Sequence, residues 1–188
     1  MVGLGILISG TGSNLQSIID RIARGQLDCV IRLVLCSRPG AAGLDRAQAV
    51  GIPTRVIEHS GVPGREDFDQ ALVAALRAAD LDLVVLAGFD RIVSRVLIEA
   101  FSGRIMNIHP ALLPSFKGLH AQGQALQYGV KIAGATVHFV DEETDHGPII
   151  IQGAVAVDPD DTEVTLRDRI LAVEHEIYPR AIQLFAEG

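Results

Sequence analysis

The chain has 188 residues, 48% of them hydrophobic, which at about 100 to 200 residues per domain fits one folded unit with a full core. The 16 Lys and Arg against 23 Asp and Glu leave a net charge of -7, a balance that disfavours nucleic acid as a main partner. No apolar run approaches the ~18 residues that cross a bilayer, so a single domain over residues 1–188, with no membrane association, is expected.

The opening MVGLGILISG lacks a basic leader region and a small-residue cleavage site, and it reads as a buried first strand, Gly3 to Ser9. It runs into ISGTGSNLQ, a glycine-containing loop in which Ser13-x-x-Gln16 has the pattern of a capping box for a helix over Asn14 to Arg24. Backbone N–H groups of Gly12, Ser13 and Asn14 would then face outward at a positive helix end, a ready anion site. A dinucleotide site fits less well: the third glycine is missing, and Cys36-Ser37-Arg38 stands where an acidic residue would end the second strand. One phosphate monoester suits the loop better, although a glycine-rich turn that merely joins strand to helix is the plain alternative.

Strands at Val30 to Ser37, Thr54 to Glu58, Leu83 to Ala87 and Arg104 to Ile108 alternate with helices at Gly43 to Val50, Glu66 to Ala79 and Ser94 to Ala100. That alternation predicts a mostly parallel, Rossmann-like sheet covered on both faces, a three-layer α/β/α fold. The two cysteines, Cys29 and Cys36, fall near one strand seven positions apart, and the odd separation predicts opposite faces and no mutual disulfide. Free thiols suit a reducing cytoplasm.

In MNIHPALLPSFKGLHAQGQ the two-residue period of a strand sets Asn107 and His109 on one face at a carboxyl end, where open α/β sheets bind ligands. An amide donor and an imidazole there suit oxyanion stabilisation and proton transfer, with Pro110 and Pro114 restricting the exit. A histidine that only ends a strand is the bland reading. Ala133 to Val140 and Pro148 to Val157 are spaced to pair as antiparallel edge strands around DEETDHGPIII. If that acidic loop folds back over the sheet edge, Asp145 reaches His109, holds the ring in one orientation and stabilises its protonated form. A final helix, Thr162 to Phe185, has Asp161 and Thr162 as candidate caps and Pro179 as an expected kink.

These segments carry a resemblance. ISGTGSNLQ at Ile8, LAGFDRI at Leu86, NIHPALLPSFKG at Asn107, VHFVDEETDHGPIIIQ at Val137 and EHEIYP at Glu174 together resemble the folate-dependent phosphoribosylglycinamide formyltransferases, from Gly5 to about Phe185. The resemblance implies the formyltransferase fold and transfer of a formyl group from 10-formyltetrahydrofolate to the amine of glycinamide ribonucleotide in purine biosynthesis. It implies a cytoplasmic monomer or homodimer acting on small molecules. Asn107, His109 and Asp145 would be catalytic. Gly12, Ser13, Asn14, Gly88, Pro110 and Glu174 would bind the ribonucleotide. Arg65, Phe89, Asp90, Arg91, Ile92, Val93, Glu142 and Thr144 would bind the folate. No metal is expected, since neither a CxxC nor an HExxH motif is present. Three residues depart from the family pattern: Thr11 in the phosphate loop, Asp90 beside the expected folate contacts, and His146 after Asp145.

Overall fold

A computed structural model describes residues 1–61 and 64–188. The chain runs β1 (Val2–Ile8), α1 (Ser13–Ala23), β2 (Cys29–Cys36), α2 (Ala42–Ala49), β3 (Thr54–Val56), a 3-10 turn (His59–Gly61) and α3 (Arg65–Ala78). It continues β4 (Leu83–Leu86), α4 (Arg95–Ala100), β5 (Ile105–His109), α5 (Ala121–Tyr128), β6 (Ile132–Phe139), β7 (Ile149–Ala156) and α6 (Glu163–Glu187). The strands form one sheet in the order β3-β2-β1-β4-β5-β6-β7. The first five are parallel to their neighbours, and β6 and β7 add antiparallel.

Near-continuous apolar strands are what a sheet buried on both faces requires, and β1 and β4 are buried almost throughout. One face packs against α1, α2 and α6 through Leu15, Ile18, Leu44, Leu166, Ile170 and Ile182. The other packs against α3 and α4 through Phe68, Leu72, Leu76, Leu97 and Phe101. The expected three-layer α/β/α architecture with antiparallel edge strands is therefore observed.

Four local readings of the sequence are corrected. First, α1 has no Ser13 capping box: its cap is Gly12, in the left-handed region at φ 70°, with no side-chain cap bond. Ser13 is already helical, and the Gln16 side chain turns to Asp20 and Arg46 instead. Second, Cys29 and Cys36 are free, as expected, but both belong to the α1/α2/α6 face. The register passes from Leu4↔Ile31 to Gly5↔Leu33, so Arg32 is a bulge residue and reverses the parity that the strand period implies. Third, α5 falls in a stretch for which the sequence predicts no element; its AQGQALQY sequence is short, has Gly123 in the middle and shows little amphipathic period. Fourth, α6 ends at Glu187 rather than Phe185, continuing as one helix with Pro179 inside it. Its Thr162 cap is present, accepting from the Thr165 N–H in a reciprocal capping box.

Candidate active site

The order of strands reverses direction at β1, with β2 on one side and β4 on the other, and the chain exits of β1, β4 and β5 lie side by side at their carboxyl ends. This is the topological switch point at which α/β sheets leave room for a ligand. A cleft of about 360 Å³ opens there, lined by residues 89–93, 107–110, 118–122 and 140–145 with Leu86 and His138.

Three separated segments meet in it. β5 delivers Asn107 and His109 on one face, and the loop after β6 folds back over the sheet edge. His109 Nδ1 lies 3.4 Å from Asp145 Oδ2, with the two side chains 6% and 11% exposed. Asp145 holds a left-handed backbone (φ 48°), an unusual conformation for a residue other than glycine, and its Oδ2 accepts the Gly118 N–H at 2.7 Å. His109 Nε2 lies 2.8 Å from the Phe116 carbonyl oxygen, so it donates there and both ring nitrogens are engaged. Such a ring is gripped from both sides. Protonated, it donates to the carboxylate and the carbonyl at once; neutral, it keeps a lone pair on Nδ1.

The glycine loop sits one strand away. The Gly10 carbonyl accepts the Gly43 N–H, and Arg46 donates from Nε to the Thr11 carbonyl at 2.8 Å, so α2 braces the loop. The first turn of α1 is tied to α6 by Asn14 Nδ2 donating to Glu174 Oε2 at 2.7 Å. Both residues are buried, and Asn14 Oδ1 has no partner. Burial pushes the Glu174 carboxyl above its ordinary value, against the opposing pull of the Asn14 bond. Ser13 also faces a separate cavity of about 350 Å³ on the outer side of α1, with Arg46 and His175.

Of the residues singled out from the sequence, Asn107, His109, Pro110, Asp145, Phe89, Asp90, Arg91, Ile92, Val93, Glu142 and Thr144 all line the main cleft. Gly12, Ser13, Asn14, Gly88, Glu174 and Arg65 do not. Gly88 stands next to the loop, its carbonyl accepting the Ser9 N–H. Arg65 opens α3 and is exposed. Arg91 lies over the Phe68 ring, 5.6 Å from its centroid. Asp90 pairs with Arg38 across the sheet edge, so its charge is balanced by a cation of the chain itself. His146 bonds Asp141 at 2.6 Å and is half exposed.

Two side chains escaped the sequence reading. His138 is directly opposite Asn107 on β6, and its spacing from Thr136 in the TVHF segment was the available signal, once β5 and β6 are known to pair. Tyr178, fully buried, reaches both the Leu86 and Met106 carbonyl oxygens at 2.9 and 3.0 Å and pins β4 to β5 just before the site. Nothing in EHEIYP distinguishes that hydroxyl from one facing water. Among the described residues no helix is long and apolar enough to cross a membrane, and no group of three or more His, Cys, Asp or Glu is arranged to hold a metal ion.

Comparison with known proteins agrees with the geometry. The chain is 42% identical to the phosphoribosylglycinamide formyltransferase of Bacillus subtilis, covering 95% of this chain and 91% of that protein. It is 48% identical to the human trifunctional purine biosynthetic protein adenosine-3 over 97% of this chain, but spans only 18% of that protein's length. The crystal structure of glycinamide ribonucleotide transformylase 1 from Symbiobacterium toebii superposes with a TM-score of 0.98 at 50% identity, covering 100% of this chain and 89% of that one. The family model for formyl transferases matches residues 4–182. The chain therefore belongs to the formyl transferase family.

Proposed function

We propose that the chain transfers the formyl group of 10-formyltetrahydrofolate to the primary amine of glycinamide ribonucleotide in purine biosynthesis, with Asn107, His109 and Asp145 as the catalytic groups. The observation that carries this reading is the His109–Asp145 pair at 3.4 Å, nearly closed off from water at the floor of the cleft with Asn107 two residues away.

The chemistry follows from the groups. The amine lone pair attacks the formyl carbon, the carbonyl electrons move to oxygen, and a tetrahedral oxyanion forms. An Asn107 Nδ2–H and an N–H of protonated His109 stabilise that charge, each such donor typically contributing about 3 kcal/mol to lowering the barrier. His109 then gives its proton to the departing N10 as the C–N10 bond breaks, and Asp145 takes the amine proton through a water. The products are the formamide of the ribonucleotide and tetrahydrofolate. Since Nε2 donates to the Phe116 carbonyl in this structure, the formyl oxygen must displace that carbonyl to receive the bond.

The residues present suit both substrates. The mouth of the cleft combines Leu86, Ile92, Val93 and Val140 with backbone at residues 91–93 and 140–144, a fit for a flat heteroaromatic ring that is read by main-chain bonds. Arg91 and Arg65 supply planar forks for the glutamate carboxylates. The N–H groups of Gly12, Ser13 and Asn14 receive the phosphate, and Gly88, Pro110 and Glu174 meet the ribose and amine. Substituting His109→Ala tests the reading: turnover is lost while the ribonucleotide still binds by calorimetry, and retention of turnover overturns the catalytic assignment.

A further inference from the structure

Asn107 has a buried neighbour that no step above uses. His138 is 2% exposed and directly opposite Asn107 in the β5–β6 register. Its Nδ1 lies 2.8 Å from the Phe139 carbonyl oxygen. A carbonyl only accepts, so Nδ1 carries a proton. In the neutral ring Nε2 then presents a lone pair, and the atom 3.3 Å away is Asn107 Nδ2, which only donates. The two choices fix each other: turning the amide over would set Oδ1 against the lone pair, and moving the ring proton to Nε2 would leave it facing the amide hydrogens.

We propose that neutral His138 is a positioning residue: by accepting one Asn107 Nδ2 hydrogen it holds the amide in a single orientation and keeps the second hydrogen available to the formyl oxygen. The inference rests on Asn107 being the oxyanion donor of the proposed reaction. A side-chain amide otherwise has two nearly isosteric orientations, and only one offers a donor at a given point. His109 approaches His138 from β5, and Asp141 and Asp145 from the loop after β6. Burial disfavours the charged ring most strongly and His109 adds to this, while the bond to the Phe139 carbonyl and the two carboxylates oppose it; the balance holds His138 below the ordinary histidine range. The ring therefore stays neutral where the enzyme works, and protonation in acid would place an Nε2–H against the amide hydrogens.

Two measurements test this. In the wild-type protein, nitrogen NMR of the labelled imidazoles is expected to show His138 with a protonated Nδ1 and a bare Nε2; the reverse tautomer overturns the proposal without any variant. In kinetics, His138→Leu is expected to lower kcat about tenfold, the rate equivalent of one well-placed hydrogen bond, with both KM values changed little. His138→Gln, which can still accept from the amide, should recover most of that loss. In an Asn107→Ala background His138→Leu should cost nothing further. A full additional loss in that background means the ring acts independently of the amide and overturns the proposal. Wild-type activity in Asn107→Ala alone removes the donor assignment itself, and this inference with it.

Discussion

Replacing Gly12 by Ala separates two physical costs at the phosphate loop. Gly12 sits at φ +70°, and a Cβ built there meets the Gly43 Cα at 2.6 Å, a backbone atom of α2 that cannot rotate away. The left-handed conformation costs an L side chain about 1–2 kcal/mol, and forcing an extra carbon into a packed contact costs about 1–3 kcal/mol. Gly25 is the control, since it has φ +67° with nothing within 4 Å of its Cβ and therefore carries only the first cost. For a chain of this size each kcal/mol moves the melting temperature by about 2–4 °C, so Gly12→Ala is expected to melt about 10 °C lower and Gly25→Ala about 5 °C lower. Differential scanning calorimetry measures both. Steady-state kinetics should show a raised KM for the ribonucleotide in Gly12→Ala alone, with the folate KM unchanged. Equal melting shifts in the two variants would refute the claim that α2 seats directly against the loop.

Three further outcomes follow from the site. Asp145→Asn keeps the shape but removes the charge beside His109, so kcat should fall by about 10²- to 10⁴-fold with small changes in KM; a loss below about fivefold would deny the carboxylate a proton-transfer role. Tyr178→Phe strips the hydroxyl that serves the Leu86 and Met106 carbonyls, and urea unfolding should report a loss of about 1–3 kcal/mol for buried acceptors left unpaired. Glu174 titrates above its ordinary value of 4.5 because it is buried. Between that value and the raised folded one, the unfolded chain releases the proton first, so this group's stabilisation is complete at low pH and lost as pH rises. Glu174→Gln cannot titrate, so as pH rises above the ordinary carboxyl range the wild type should lose stability relative to the variant; parallel pH profiles would contradict the burial argument.

Much of the fold was legible because β1 and β4 are continuous apolar runs between amphipathic helices, a pattern that only a sheet covered on both faces satisfies. The errors fell where one residue changes the local rule. The Arg32 bulge reversed strand parity for the two cysteines, and no feature of CVIRLVLC marks it. At α1, a glycine already in the left-handed region made the Ser13 cap unnecessary. The Asn107 and His109 placement was legible because the strand period alone fixes it. Asp145 reaching them depended on a loop folding back, which the antiparallel pairing of β6 and β7 brings about. His138 and Tyr178 were not legible: their value lies in which atoms face them across the sheet, and that depends on long-range register.

The most direct test follows a labelled formyl group. With the formyl carbon of 10-formyltetrahydrofolate isotopically marked, the account predicts that the label appears in the formamide of the ribonucleotide, one for each tetrahydrofolate formed, and that tetrahydrofolate formation stops when the ribonucleotide is withheld. Label recovered as free formate at a rate independent of the ribonucleotide would contradict it.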